Sequence, residues 1–131
     1  FPTAASAYID FDQDGDLDII TVPTSVPLGL WLNNSDKNHA LTIELRDEIG
    51  NRFGIGSKII IHYGGDQKRH QLREIQASGG YHSADAPLAH FGLGQFDQVE
   101  KIEIQWSTGE KTIIDTMITS DARYVIQRLN Q

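Results

Sequence analysis

Short runs of β-branched and aromatic residues recur at close spacing along this chain, separated by Gly, Asn and Asp turns, with no long helical period between them. That punctuation is the pattern of a sandwich or a barrel, and the fold class expected is all-β, a sandwich-like antiparallel domain. Leu41, Ile43 and Leu45 alternate with Thr42 and Glu44, as a half-buried strand requires, and Ile59, Ile61 and Tyr63 repeat the logic. Ile102, Ile104 and Trp106 should point inward while Lys101, Glu103 and Gln105 meet water. Ser107, Thr108 and Gly109 then supply a turn into a partner strand at 111–118. A last strand at 124–129 would close the sheet, and 68–76 reads as a strand whose charged, poorly separated faces suit an edge. With 131 residues the chain can bury one real core and not two.

The opening differs. Three short strands, at 6–11, 17–22 and 28–33, surround an aspartate-rich loop and a proline-bearing turn at 23–27. The polar, turn-prone stretch 34–38 marks a boundary, which divides the chain into 1–36 and 37–131. Three strands alone bury too little to fold independently, so they are expected to lean on the following domain or on sequence beyond this chain. The chain starts at Phe1 with no methionine or leader and is read as part of a longer protein.

The loop carries Asp10, Asp12, Asp14, Asp16 and Asp18, with Gly15 at the sharp turn. Calcium is a hard cation that takes six to eight oxygens, and carboxylates at alternating positions of a tight loop can converge on one point. Asp10, Asp12, Asp14 and Asp18 are assigned as side-chain ligands and Asp16 as a backbone-carbonyl ligand. So many carboxylates gathered without a cation would repel one another, and an all-oxygen donor set favours Ca2+ over zinc or copper. The start matches an EF-hand, yet position twelve is Thr21 rather than a bidentate glutamate, and strand-like residues flank the loop. It is therefore a calcium-loop β-hairpin element, in which the ion is expected to be a structural staple.

Charge and composition exclude several classes. Five of the eighteen acids lie in the loop, and without them the formal charge of −7 falls to −2, so the acidity is local. Only eleven Lys and Arg are available to neutralise phosphates, which disfavours nucleic acid. No segment approaches the roughly 20 apolar residues of a membrane-spanning helix, and without cysteine neither a disulfide nor a thiolate metal site is possible. None of His39, His62, His70, His82 and His90 has helical metal-ligand spacing, so each reads as a satisfied or exposed side chain. His82, Ser83 and Asp85 are close in sequence, but triads assemble in space. Gly79, Gly80, Gly92 and Gly94 read as turns or bulges, and Lys68, Arg69, His70 and Arg73 as a solvated strand face. Asn33, Asn34 and Ser35 match a glycosylation acceptor pattern.

The loop, followed by Asp18-Ile19-Ile20 and Leu30-Trp31-Leu32-Asn33-Asn34, resembles the end of an FG-GAP/VCBS repeat, the blade unit of calcium-bearing β-propellers. The remainder resembles the ASPIC/UnbV domain. The motifs are Asn51-Arg52-Phe53-Gly54-Ile55-Gly56-Ser57-Lys58-Ile59, Ser78-Gly79-Gly80-Tyr81-His82-Ser83, His90-Phe91-Gly92-Leu93-Gly94 and Ile104-Gln105-Trp106-Ser107-Thr108-Gly109. Ser57 stands where the family often has Ala, and Ser107-Thr108 where it often has Pro-Ser. The resemblance implies an extracellular or periplasmic module with a propeller upstream in the same polypeptide, and it lends no catalytic residue. The function expected is a non-catalytic, calcium-binding module for protein or glycan interaction or adhesion. The alternative is an accessory domain of a secreted carbohydrate-active or tailoring enzyme.

Overall fold

The computed structural model describes residues 2–80 and 82–130, and among these the regular structure is strand apart from one short 3-10 turn at Gly65–Gln67. The strands are β1 (Thr3–Ile9), β2 (Asp18–Pro23), β3 (Gly29–Trp31), β4 (His39–Asp47), β5 (Lys58–Tyr63), β6 (Arg69–Glu74), β7 (Leu88–Gly94), β8 (Gln98–Gln105), β9 (Lys111–Ile114), β10 (Ile118–Thr119) and β11 (Ala122–Arg128). They make three sheets. An N-terminal sheet has the order β1-β2-β3, a second has β11-β4-β7, and a third has β10-β8-β5-β6 with β9 also pairing β8.

Alternation sets the core. The inward residues of β4 and β7, Leu41, Ile43, Leu45, Ala89, Phe91 and Leu93, meet those of β5 and β8, Ile59, Ile61, Tyr63, Val99, Ile102 and Ile104, and all are buried. Removing such an aliphatic or aromatic side chain from water contributes about 1.5–3 kcal/mol, so this double layer holds the two larger sheets together. Trp106 closes one end, its Nε1 donating to Thr112 Oγ1 at 2.8 Å across the β8–β9 hairpin. Gly109, with φ +97°, makes that hairpin's turn where a side chain would be strained.

The edge expected at 68–76 is observed, since β6 ends the third sheet. Its faces do not separate because its polar side chains reach sideways: Gln71 Nε2 donates to Gly92 O at 2.6 Å and Arg73 Nε to His90 O at 3.1 Å. Those bonds cap unpaired carbonyls of β7 and join the two sheets along one side. The basic run has a structural role: Arg69 lies over the Phe96 ring at 5.2 Å and Arg73 over Phe91 at 5.3 Å.

Three details differ from expectation. Gly92 and Gly94, read as turns or bulges, lie within β7, where the register slips by one residue at Leu93, since His39 pairs with Gly94 and Ala40 with Gly92. The stretch 111–118 is split into β9 and β10, which pair with different parts of β8. The closing strand β11 lies parallel to β4, from Ala122 opposite Leu41 to Arg128 opposite Asp47. The chain visits the third sheet between them, and such a crossover returns a strand in the same direction.

At the end of that parallel pair Arg128 forks onto Asp47, with Nε to Oδ1 at 2.9 Å and Nη2 to Oδ2 at 2.6 Å. Its guanidinium also stacks on Trp106 at 4.5 Å and bonds Thr108 and Glu110. This one side chain ties the last strand, the β8–β9 turn and the end of β4 together.

Candidate metal centre

In the N-terminal sheet Asp18 is the only described residue that is fully enclosed. Buried anions need partners, and Asp18 has them: Phe11 N–H donates to Oδ2 and Asn33 N–H to Oδ1, both at 2.8 Å. The carboxylate thereby fastens the chain after β1 to the chain after β3. Between β1 and β2 the loop turns through Gln13 and Gly15, at φ +62° and +96°, which folds its acidic side chains back toward the strand ends.

Carboxylate oxygens of Asp10, Asp12 and Asp18 all lie within 4.8 Å of one another. That span is about twice a calcium–oxygen distance of roughly 2.3–2.6 Å, so one ion fits among them. Asp10 takes Gly15 N–H on Oδ2 at 3.2 Å, while its Oδ1 is buried without a hydrogen-bond partner. An orphaned buried carboxylate oxygen is costly in a protein interior and is what a cation relieves. The donor set fits a hard divalent cation.

Asp14 and Asp16 stand outside that trio. Asp14 Oδ1 accepts from Asp16 N–H at 3.1 Å, which braces the turn. Asp16 Oδ2 accepts from Ser35 N–H at 3.0 Å, and its Oδ1 is also buried and unpaired. The loop's field is visible in its acids. The Asp12 carboxyl is raised above the usual range by loss of water and then by the charges of Asp14 and Asp18. That of Asp16 is raised by burial and then by Asp14, Asp18 and Asp10, against the lowering effect of Ser35 N–H.

The N-terminal element does lean on the larger domain, as expected, through contacts whose residues the sequence did not identify. His90 Nε2 donates to Gly15 O at 3.1 Å, and Asp85 Oδ1 accepts from Tyr8 N–H at 3.1 Å. The donor and acceptor of the first bond are 75 residues apart, so only the motif containing His90 offered a signal. Other histidines also have partners: His39 Nδ1 lies 2.6 Å from Asp121 Oδ2, and His62 Nε2 lies 2.9 Å from Glu103 Oε1. Among the described residues no histidine joins a three-residue cluster of metal-ligand atoms. No helix among the described residues is long and apolar enough to cross a membrane. Tyr81 of the second family motif lies outside the described residues, and Gly80 and Ser83 on either side form an antiparallel bridge.

The architecture is an all-β, sandwich-like domain with a smaller sheet and acidic loop docked on it. The family pattern described as ASPIC and UnbV matches residues 47–131, and the chain belongs to that family. It is 34% identical to cartilage acidic protein 1 of Mus musculus over 105 residues, covering 77% of this chain and 16% of that protein. The Xenopus tropicalis and Homo sapiens proteins of the same name are each 34% identical, covering 79% and 77% of this chain and 16% and 15% of their own length. The chain thus spans about one sixth of the curated relatives it matches. The family match begins at the last residue of β4, yet Leu41, Ile43 and Leu45 are core, so the folded unit includes the whole strand.

Proposed function

We propose that this chain is a non-catalytic, calcium-stabilised module of a longer extracellular protein, built for interaction rather than chemistry. The observation that carries the reading is the convergence of Asp10, Asp12 and Asp18 with a buried, unpaired Asp10 Oδ1. Asp10, Asp12, Asp14 and Asp18 would hold the ion by their side chains and Asp16 by its backbone carbonyl. The ion neutralises the loop's mutual repulsion and cross-links the ends of β1 and β2. An extracellular or periplasmic setting is supported by the family membership and by relatives whose name ties them to cartilage.

We read the N-terminal sheet as the remainder of an FG-GAP/VCBS-type repeat whose exposed face is covered by upstream parts of the same polypeptide. Supporting this, Ile19, Leu28, Leu30, Trp31 and Leu32 are large apolar side chains left exposed on or beside its strands. Patches of that kind mark contact surfaces.

Calorimetric titration of Ca2+ into chelator-stripped protein tests the reading. We expect one site per chain, with Asp12→Asn weakening it at least tenfold and Asp36→Asn, outside the loop, leaving it unchanged. No heat of binding, or an affinity indifferent to Asp12, would remove the basis for the module's calcium.

A further inference from the structure

The acidic loop does not lie flush on the larger domain. Between it and the outer face of β4, β7 and β11 is a cleft of about 990 Å3, at the upper end of the roughly 300–1,000 Å3 typical of small-ligand sites. We propose that this cleft binds a neutral oligosaccharide. The inference rests on reading the chain as an extracellular interaction module and names the ligand class that module recognises.

Two aromatic rings line the cleft from different parts of the fold, Tyr8 on β1 and Phe53 in the segment before β5, and they are 55% and 48% exposed. The apolar C–H faces of a pyranose cover such rings, while tyrosine adds a hydroxyl that hydrogen-bonds. The cleft is also lined by side chains that can both donate and accept, among them Gln13, Thr42, Gln76 and Ser78. That mixture of flat apolar surface and dense hydrogen-bonding groups matches a sugar better than an apolar ligand.

The charges decide between ligand classes. Carboxylates outnumber guanidiniums on the lining, so a sulfated or uronic chain meets repulsion. Asp10 and Asp14 belong to the acidic loop, and three of the other carboxylates are a weak lure for a basic peptide because they are already committed. Glu44 accepts from Arg46 and Arg123, Asp85 from Tyr8 N–H, and Asp121 from Ala40 N–H with His39 alongside. Arg73 in turn donates to the His90 and Leu72 carbonyls. Groups held in this way present fixed acceptors and donors with little free field, the arrangement suited to orienting hydroxyls.

The test is an NMR amide titration of the whole chain, with and without calcium. The probes are neutral trisaccharides of glucose, mannose, galactose and N-acetylglucosamine, with a heparin hexasaccharide and a decalysine peptide as charged comparators. At least one neutral trisaccharide should move the Thr42, Phe53 and Gln76 amides saturably. Phe53→Ala and Tyr8→Ala, both changes at half-exposed rings, should each weaken it by roughly tenfold. The proposal is overturned if no neutral trisaccharide moves those amides, if both substitutions leave affinity unchanged, or if only heparin or decalysine binds there. Ion uptake is read on the same samples, so a chain that takes no calcium sinks the calcium reading while the sugar titration still decides the cleft.

Discussion

Replacing Arg128 by alanine is expected to lower the unfolding free energy by about 3–5 kcal/mol, because it strands a buried carboxylate. The Asp47 side chain is fully enclosed and that of Arg128 is only 11% exposed, so the loss leaves the carboxylate with backbone donors such as Ile49 N–H in place of the guanidinium. Against a total stability of about 5–15 kcal/mol for an ordinary domain, this is a large fraction. Denaturant melts should show the midpoint falling while the slope holds. The double change Asp47→Leu with Arg128→Met should cost distinctly less than Arg128→Ala alone, since no charge is then left unpaired. Equal losses in the two variants would mean that the pair's geometry, and not its charge, matters.

The same pair sets an acid limit. Hydrogen bonds from Arg128 are the main reason the Asp47 carboxyl lies below its ordinary range, and burial opposes them. A carboxyl depressed in the folded state contributes stability in full above its unfolded value near 3.9, and the contribution fades as pH falls through the folded value. Glu44, lowered chiefly by Arg123, acts in the same sense. Stability followed below pH 4 should therefore drop more gently in Arg128→Ala than in the parent chain, because the variant has already lost the Asp47 contribution.

Phe91→Ala is the second change with a large expected effect, also about 3–5 kcal/mol, the usual cost of emptying an aromatic site in a core. Phe91 is fully buried on β7, packs between the two larger sheets and carries Arg73 over its ring at 5.3 Å. Ile113→Ala, at a side chain 61% exposed on β9, should cost only a few tenths by comparison. A loss below about 1 kcal/mol for Phe91 would argue that the sheets are not held by this layer.

What the sequence made legible follows from where one face of a strand is buried and the other wet. β4, β5 and β8 announced themselves because Leu41, Ile43, Ile59, Ile61, Ile102 and Ile104 recur at every second position. β7 did not, although Ala89, Phe91 and Leu93 alternate inward, because Gly92 and Gly94 at the outward positions read as turn or bulge residues. The parallel docking of β11 on β4 was also hidden, since partners some 80 residues apart leave no local mark.

Two apparent departures from the family pattern turn out to be one feature. Ser57 is fully buried, and its Oγ accepts the backbone N–H of Ser107 at 3.0 Å. A proline at 107 has no N–H to offer, and an alanine at 57 has no oxygen to receive it. The two serines are chemically consistent as a pair, which the separate positions did not suggest.

At the acidic loop, residue types and spacing were enough to suggest the kind of ion. The gathering of Asp10, Asp12 and Asp18 ahead of Asp14 and Asp16 depends on backbone donors at Phe11, Asn33 and Ser35 and on His90, all supplied by the fold. Local spacing carries none of that.

Paired thermal melts, one in excess calcium and one in chelator, put the central claim most directly at risk. An ion bound only by the folded chain stabilises it by about 2.7 kcal/mol at a hundredfold excess over its dissociation constant, so the calcium sample should melt several degrees higher, and Asp18→Asn should abolish the gap. Coincident melts with and without calcium would contradict the account.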